Sequence, residues 1–311
     1  MNELLRLASP ESNPGDVQLR LPHMVECNPL TIISDGLLRL ASPESNQVTC
    51  DLRLPHLVDT NQKNSSPKIA LAFWGLTRSL KYTIKSIKKN ILNIFKEANI
   101  EYDIFIHTYD ILNKYTNNRS GEKNIKLDCS EYKLLNPTKF QIQNQGNVKN
   151  KLDLLKYRTH PDPWKTNYET MDNFILAMYS KMKVTELIQK ENEGNEISKY
   201  KYIIFLRPDV KYLNNFDLSF LNQINDNSIC IPNFALYSSF NDRFCLANYN
   251  NGILYGTLFK YMLEYSKKNK LHSETFNNHY MRNFYKLNII LIPFYFNRVR
   301  ANGIETKDAK V

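Results

Sequence analysis

All 2 Trp, 19 Tyr and 16 Phe of this 311-residue chain lie at or beyond Phe73. That boundary confines any folded core to the aromatic-bearing part of the chain. The segment before it holds 7 of the 13 prolines and is rich in Ser and Asn. Such a segment cannot bury enough apolar surface to offset the entropy of ordering it. Charge divides at the same place: 5 Lys/Arg against 8 Asp/Glu through Pro67, and 36 against 23 thereafter. The expected organisation is a disordered tail over 1–66 and one folded domain over 67–311. Within the tail, Leu4–Asn13 recurs as Leu37–Asn46 and Leu19–His23 as Leu52–His56, both offset by 33 residues. Two copies are too few for a stacked repeat array. The pattern reads as a duplicated tail, with His23 and His56 as passengers of the repeat.

Several classes are excluded early. No apolar run approaches the ~18 residues of a membrane span. The N-terminus lacks a basic stretch leading into an apolar one, so a secretory leader is not expected. The 5 cysteines are odd in number and scattered, with no Cys-x-x-Cys, which argues against a disulfide framework or a zinc finger. The expectation is a soluble protein of a reducing compartment, the cytoplasm. The phosphate-cradling patterns Gly-x-Gly-x-x-Gly and Gly-x-x-x-x-Gly-Lys-Ser/Thr are missing, which disfavours NAD enzymes and P-loop ATPases.

Beyond Pro67 the pattern is that of an α/β domain. Lys68–Gly75 is a short apolar run, read as a buried strand. Leu80, Ile84, Ile87, Ile91, Phe95 and Ala98 recur at helical spacing. Tyr102–His107 is a second strand, and strand–helix–strand implies parallel pairing. Residues 112–166 are weakly patterned and read as loops with short elements, a lid or an acceptor-binding insert. Tyr168–Gln189 reads as a helix, Ile203–Leu206 as a central strand, Ser228–Pro232 and Asn288–Ile292 as further strands. Helical spacing returns at Leu254, Leu258, Met262 and Tyr265, and His272–Tyr280 opens a last helix with Ser273 as its N-cap.

The candidate site residues cluster where strands end. Gly75 permits a tight turn, and Arg78 beyond it can pair with a phosphate or lie over the sheet. Arg207-Pro208-Asp209 closes the central strand, and open α/β sheets bind ligands at the carboxyl ends of their strands. Asp209 can bind a divalent cation bridging a diphosphate, or sit in a solvated turn. Asp242 can hold a hydroxyl or a metal-bound water, or cap a turn. Glu274 lies at a helix N-terminus, where a carboxylate either acts as a base toward an attacking hydroxyl or merely caps. Arg298 and Arg300 alternate with Val299, so an extended segment projects both to one side, as suits a diphosphate. His107, Thr108 and Asp110 end the second strand and read as a turn; His279 reads as structural.

The order of these motifs resembles a family. Gly75-Leu-Thr-Arg78, Ile104–Thr108, Phe205-Leu-Arg-Pro-Asp-Val210, Asn241-Asp-Arg-Phe244, His272-Ser-Glu274 and Arg298-Val-Arg300 look like GT-A-type glycosyltransferases of the kind associated with bacterial surface-polysaccharide loci and large DNA viruses. The resemblance covers about residues 68–303. It implies a GT-A-like (Rossmann-like), mostly parallel sheet flanked by helices, a nucleotide-sugar donor, a glycan or other sugar acceptor, and Mn²⁺ or Mg²⁺. It places Asp209 as the metal ligand and Glu274 as the catalytic base, with Asp242 the alternative that the residues themselves offer. Together with the residue reading, Gly75, Arg78, Arg207, Lys211, Arg298 and Arg300 form the expected donor-binding set. The chain departs from the general pattern at Asp209-Val210-Lys211, where a lysine stands in place of a second carboxylate. Metal use is therefore an open expectation, with Arg207 or Lys211 as substitutes for the cation. Two other readings stay open. One is an inactive fold of this type serving as scaffold or glycan binder. The other is a nucleic-acid binder, suggested by positive charge and aromatics but lacking any recognised motif.

Overall fold

The computed structural model describes residues 68–195 and 197–309. The duplicated tail, with His23 and His56, and the boundary at 66/67 lie outside the described residues. Ile69–Trp74 (β1) is apolar at every position because both of its faces are covered. Ala70, Ala72 and Trp74 face one layer of helix, and Ile69, Leu71 and Phe73 face the other.

The chain next forms α1 (Leu80–Ile87), a π-helical turn at Lys88–Leu92, and α2 (Asn93–Glu97). The wide turn swings the Asn90 carbonyl out to accept from Phe216 N–H at 2.8 Å, while its amide donates to the Tyr212 carbonyl at 3.1 Å. β2 (Tyr102–Asp110) comes next, then a hairpin of β3 (Tyr115–Asn117) and β4 (Glu122–Ile125), then β5 (Lys139–Asn144) and α3 (Gln145–Leu152). The 24-residue α4 (Glu169–Asn192) leads into β6 (Tyr202–Leu206), β7 (Val210–Tyr212) and α5 (Ser219–Asn222). β8 (Ser228–Pro232), β9 (Cys245–Asn248), α6 (Tyr249–Gly256), α7 (Met262–Lys268), α8 (Ser273–Asn278), β10 (Asn288–Ile292) and β11 (Phe296–Arg298) complete the order.

Seven strands form one sheet in the order β10-β8-β9-β6-β1-β2-β5, with β6 at its centre. All neighbours are parallel except where β9 runs antiparallel between β6 and β8. This is an α/β fold with a mostly parallel sheet flanked by helices, as the strand–helix alternation implies. No described helix is long and apolar enough to cross a membrane.

The structure adds to the sequence reading at two places and corrects it at a third. The short elements of 112–166 include the β3–β4 hairpin and β5, an edge strand of the main sheet. β9 goes unread in the sequence because it is four residues long and antiparallel. At α8 the N-cap position is His272, and the Ser273 hydroxyl donates to the Glu274 carboxylate instead of capping.

Close approach is fixed by small residues. A Cβ on Gly256 would stand 1.9 Å from Thr185 Oγ1 and 2.9 Å from Phe205, so α6 can lie against α4 and β6 only with hydrogen at this position. Gly256→Ala is expected to lower stability by about 1–3 kcal/mol through overpacking. The check is a lower urea midpoint at unchanged slope.

Candidate functional site

The carboxyl ends of the adjacent parallel strands β1 and β6 open into a cavity of about 940 Å³. This is where ligands bind in open α/β sheets. β1 runs out at Gly75, whose φ of +95° is a conformation side-chain-bearing residues avoid. Its N–H donates to Ser180 Oγ at 2.8 Å, tying the turn to α4. The turn delivers Arg78 to the cavity wall just before α1.

β6 runs out at Arg207-Pro208-Asp209. That turn is fastened from two sides. Thr83 Oγ1 donates to the Pro208 carbonyl at 2.6 Å, and Val299 N–H donates to the Asp209 carbonyl at 2.8 Å. The Asp209 carboxylate is 3% exposed and fully engaged. Arg207 grips it with Nε on Oδ1 at 2.8 Å and Nη2 on Oδ2 at 2.7 Å, and Arg78 Nη2 reaches Oδ2 at 3.0 Å. Burial alone would raise this carboxyl, but the Arg207 and Arg78 charges outweigh it and hold it well below the ordinary range. Arg78 also donates to the Tyr115 hydroxyl and lies 3.6 Å from the buried Glu122.

The C-terminal segment supplies the opposite wall. β11 pairs antiparallel with β7, setting Arg298 opposite Val210, next to Asp209 in the chain. The chain then turns back so that Asp308 accepts from Arg298 at 2.6 Å and 2.9 Å. Arg300 comes within 3.9 Å of Glu122, which in turn accepts from Ala301 N–H at 2.6 Å. Arg243 pairs with neither Asp242 nor Asp209 within 4 Å. Its nearest carboxylate is Asp308 at 3.8 Å, and Nη1 has no hydrogen-bond partner.

Gly75, Arg78, Arg207, Asp209, Asp242, Glu274, Arg298 and Arg300 all line this one cavity. Lys211 does not. It lies on β7 with its side chain half exposed and pairs with Glu305 at 2.8 Å. Alternation along β7 explains this, since Val210 and Tyr212 point inward and Lys211 outward. His107 is buried, bonded to Ser180 and Gln143, and burial lowers its imidazole to about 4. It is a neutral structural group.

Sequence reasoning missed Arg119, Arg243 as a free cation, Lys307, Asp308 and the buried Lys181. The first four sit in segments without periodicity. Lys181 carries no signal because a lysine within a helix reads as part of a solvated face. It is 1% exposed, and its ammonium donates to the Tyr255 hydroxyl at 2.7 Å and the Asp242 carbonyl at 3.1 Å. It also stands over the Trp74 ring at 4.5 Å, with Arg207 near the same ring at 5.4 Å. Burial lowers the ammonium to about 8 against the attraction of Asp242.

Arg78, Arg119, Arg207, Arg243, Arg298, Arg300 and Lys307 thus share the cavity with four carboxylates, Asp209, Asp242, Glu274 and Asp308. The wall carries a surplus of positive charge suited to an anion. Glu274 is 7% exposed at the start of α8. Burial raises its carboxyl, and the charge of Asp242 raises it further. A carboxyl in that state is suited to moving a proton.

A divalent cation does not fit this donor set. Both Asp209 oxygens are already bonded to guanidinium N–H groups. Among the described residues no group of three or more His, Cys, Asp or Glu side chains could hold an ion.

No protein-family model matches the chain, and no curated protein matches it. Among solved structures it is similar to mouse xyloside xylosyltransferase 1 in its apo form. The identity is 13%, over 72% of this chain and 84% of that one, with a TM-score of 0.36.

Asp209→Asn leaves Arg207 without its ion-pair partner and Arg78 with Glu122 alone, and is expected to cost about 3–5 kcal/mol. The Asp209 carboxyl is depressed in the folded state, so its contribution is complete above the ordinary value of 3.8 and is lost as pH falls below it. Urea midpoints measured at about pH 7 and about pH 3 should therefore differ less in Asp209→Asn than in the native chain.

Proposed function

We propose that this protein is a glycosyltransferase that moves a sugar from a nucleotide-sugar donor to a hydroxyl of a glycan or other acceptor. The observation that carries the reading is the meeting, in one strand-end cavity, of an arginine-rich wall and a buried carboxyl with raised proton affinity. The cavity's size suits a small molecule rather than a polymer strand. The motif order read from the sequence points the same way.

In this reading the donor diphosphate lies against the arginines. The acceptor hydroxyl oxygen attacks the anomeric carbon. Its proton passes to the Glu274 carboxylate, directly or with Asp242 holding the hydroxyl in place. The bond from the anomeric carbon to the diphosphate oxygen breaks, and its electron pair leaves with the diphosphate. The guanidinium groups stabilise the charge that develops on that oxygen, and they do so in place, without reorganising. Lys181 fixes the Asp242 backbone and the Trp74 ring, and so positions one side of the cavity without touching the reacting atoms.

The test is a thermal-shift panel of nucleoside diphosphates and nucleotide sugars on the full chain, followed by turnover of whichever donor binds. A donor at ~100 times its dissociation constant stabilises by about 2.7 kcal/mol. Absence of any shift across UDP-, GDP- and CMP-linked sugars overturns the reading.

Glu274→Gln is expected to lower kcat by about 10²–10⁴ while leaving donor binding within a few-fold. Because the base must be ionised and its proton affinity is raised, kcat/KM should climb with pH through a value above the usual 4.5 of glutamate. A rising limb at or below that value would remove Glu274 from the role.

A further inference from the structure

Apart from the exposed Arg119 and Lys307, the cavity's cations fall into two groups by what they already hold. Arg78 and Arg207 hydrogen-bond to Asp209, and Arg298 is bonded through two nitrogens to Asp308. Arg243 and Arg300 are different. Among the described residues neither guanidinium donates a hydrogen bond, and their nearest carboxylates stand at 3.8 Å and 3.9 Å. Both are largely buried, with side chains 11% and 18% exposed. Arg243 buries Nη1 with no hydrogen-bond partner, which is costly, and the Arg300 guanidinium is bonded to no other described group, so an anion entering the cavity relieves the first and meets uncommitted donors on the second. Burial and the neighbouring Arg298 charge weaken the proton affinity of both, the signature of cations crowded together without enough counter-charge.

Charge balance bears on metal as well. The lining already carries three more positive than negative charges. A doubly charged cation would add to that surplus, and to reach Asp209 it would have to displace Arg207 and Arg78 from both carboxylate oxygens. A diphosphate needs no such displacement.

We propose that the diphosphate is seated directly on Arg243 and Arg300, without a divalent cation, and that Asp209 is an internal counter-ion holding Arg207 and Arg78 in place. This rests on the reading of the cavity as a sugar-diphosphate site and names the charges that hold that ligand. Asp209 is then a positioning residue, and Lys211, two positions along the chain, takes no part.

The experiment uses inorganic pyrophosphate, titrated by calorimetry into the full chain in the presence of EDTA, and Mn²⁺ titrated alone. Expected results are pyrophosphate binding in EDTA, no site for Mn²⁺ alone, and at least tenfold weaker pyrophosphate binding in Arg243→Met and in Arg300→Met. Arg243→Lys and Arg300→Lys should recover part of the loss, which a collapsed cavity would not. Pyrophosphate binding that appears only with Mn²⁺, a Mn²⁺ site lost in Asp209→Asn, unchanged affinity in both methionine variants, or no pyrophosphate binding at all would each overturn the proposal. Failure of the transferase reading is separable. Pyrophosphate binding in EDTA without turnover of any nucleotide sugar removes the transferase and keeps this seat; turnover that requires Mn²⁺ does the reverse.

Discussion

The Asp209 carboxylate sits between two guanidiniums, and much of the cavity is arranged around that contact. Arg78 arrives from the end of β1 and Arg207 from the end of β6, so one buried carboxylate cross-links the mouths of two neighbouring strands. Without it, the two guanidiniums would repel each other at the mouths of the strands. With it, both arginines are held at fixed positions at no further cost in order. The neighbouring backbone is recruited to the same end, since the turn carrying Asp209 is fastened to α1 through Thr83 and to the C-terminal segment through Val299. A residue type that looks like a ligand in the sequence acts in the fold as a fastener.

Around this fastener the cavity is assembled from segments distant in the chain. The β3–β4 hairpin brings Tyr115, Asn117 and Arg119, and its buried Glu122 anchors it to Arg78 and to the chain after β11. Asp242 precedes β9, and Glu274 begins α8. The fully buried Lys181 lies against the Asp242 backbone and holds it. The result is a wall on which carboxylates and guanidiniums are interleaved, with cations in excess.

How far this was legible in the sequence depends on what each segment buries. β1 and β6 are covered on both faces, so every position is apolar and the pattern is unmistakable. β5 is half exposed at the sheet edge and reads Lys-Phe-Gln-Ile-Gln-Asn, with Phe140 in the open, so its composition is that of a loop. The Arg207–Asp209 turn could be found because Pro208 punctuates an apolar run. Lys211 follows this turn closely in the sequence, but the pleat that begins at Val210 turns it outward. The carboxylate that neutralises Arg298 lies ten positions onward, in a segment with no periodicity to mark it. Nothing local in a sequence says that a chain will fold back on itself to present one Asp.

That folding back has a consequence for how the protein comes into being. The cavity wall begins with Trp74 and ends with Asp308, so its members span nearly the whole described chain. During synthesis the N-terminal part emerges first. A ribosome that has released Arg78 and even Arg207 has therefore not yet made Arg298, Arg300 or their partner Asp308. Until those residues arrive, the nascent chain holds a sheet with one side of its mouth absent, and contacts of such long sequence separation close late and slowly. The binding site is thus among the last parts of the described fold to exist, and a translation product cut short before Arg298 would keep most of the core while lacking a wall.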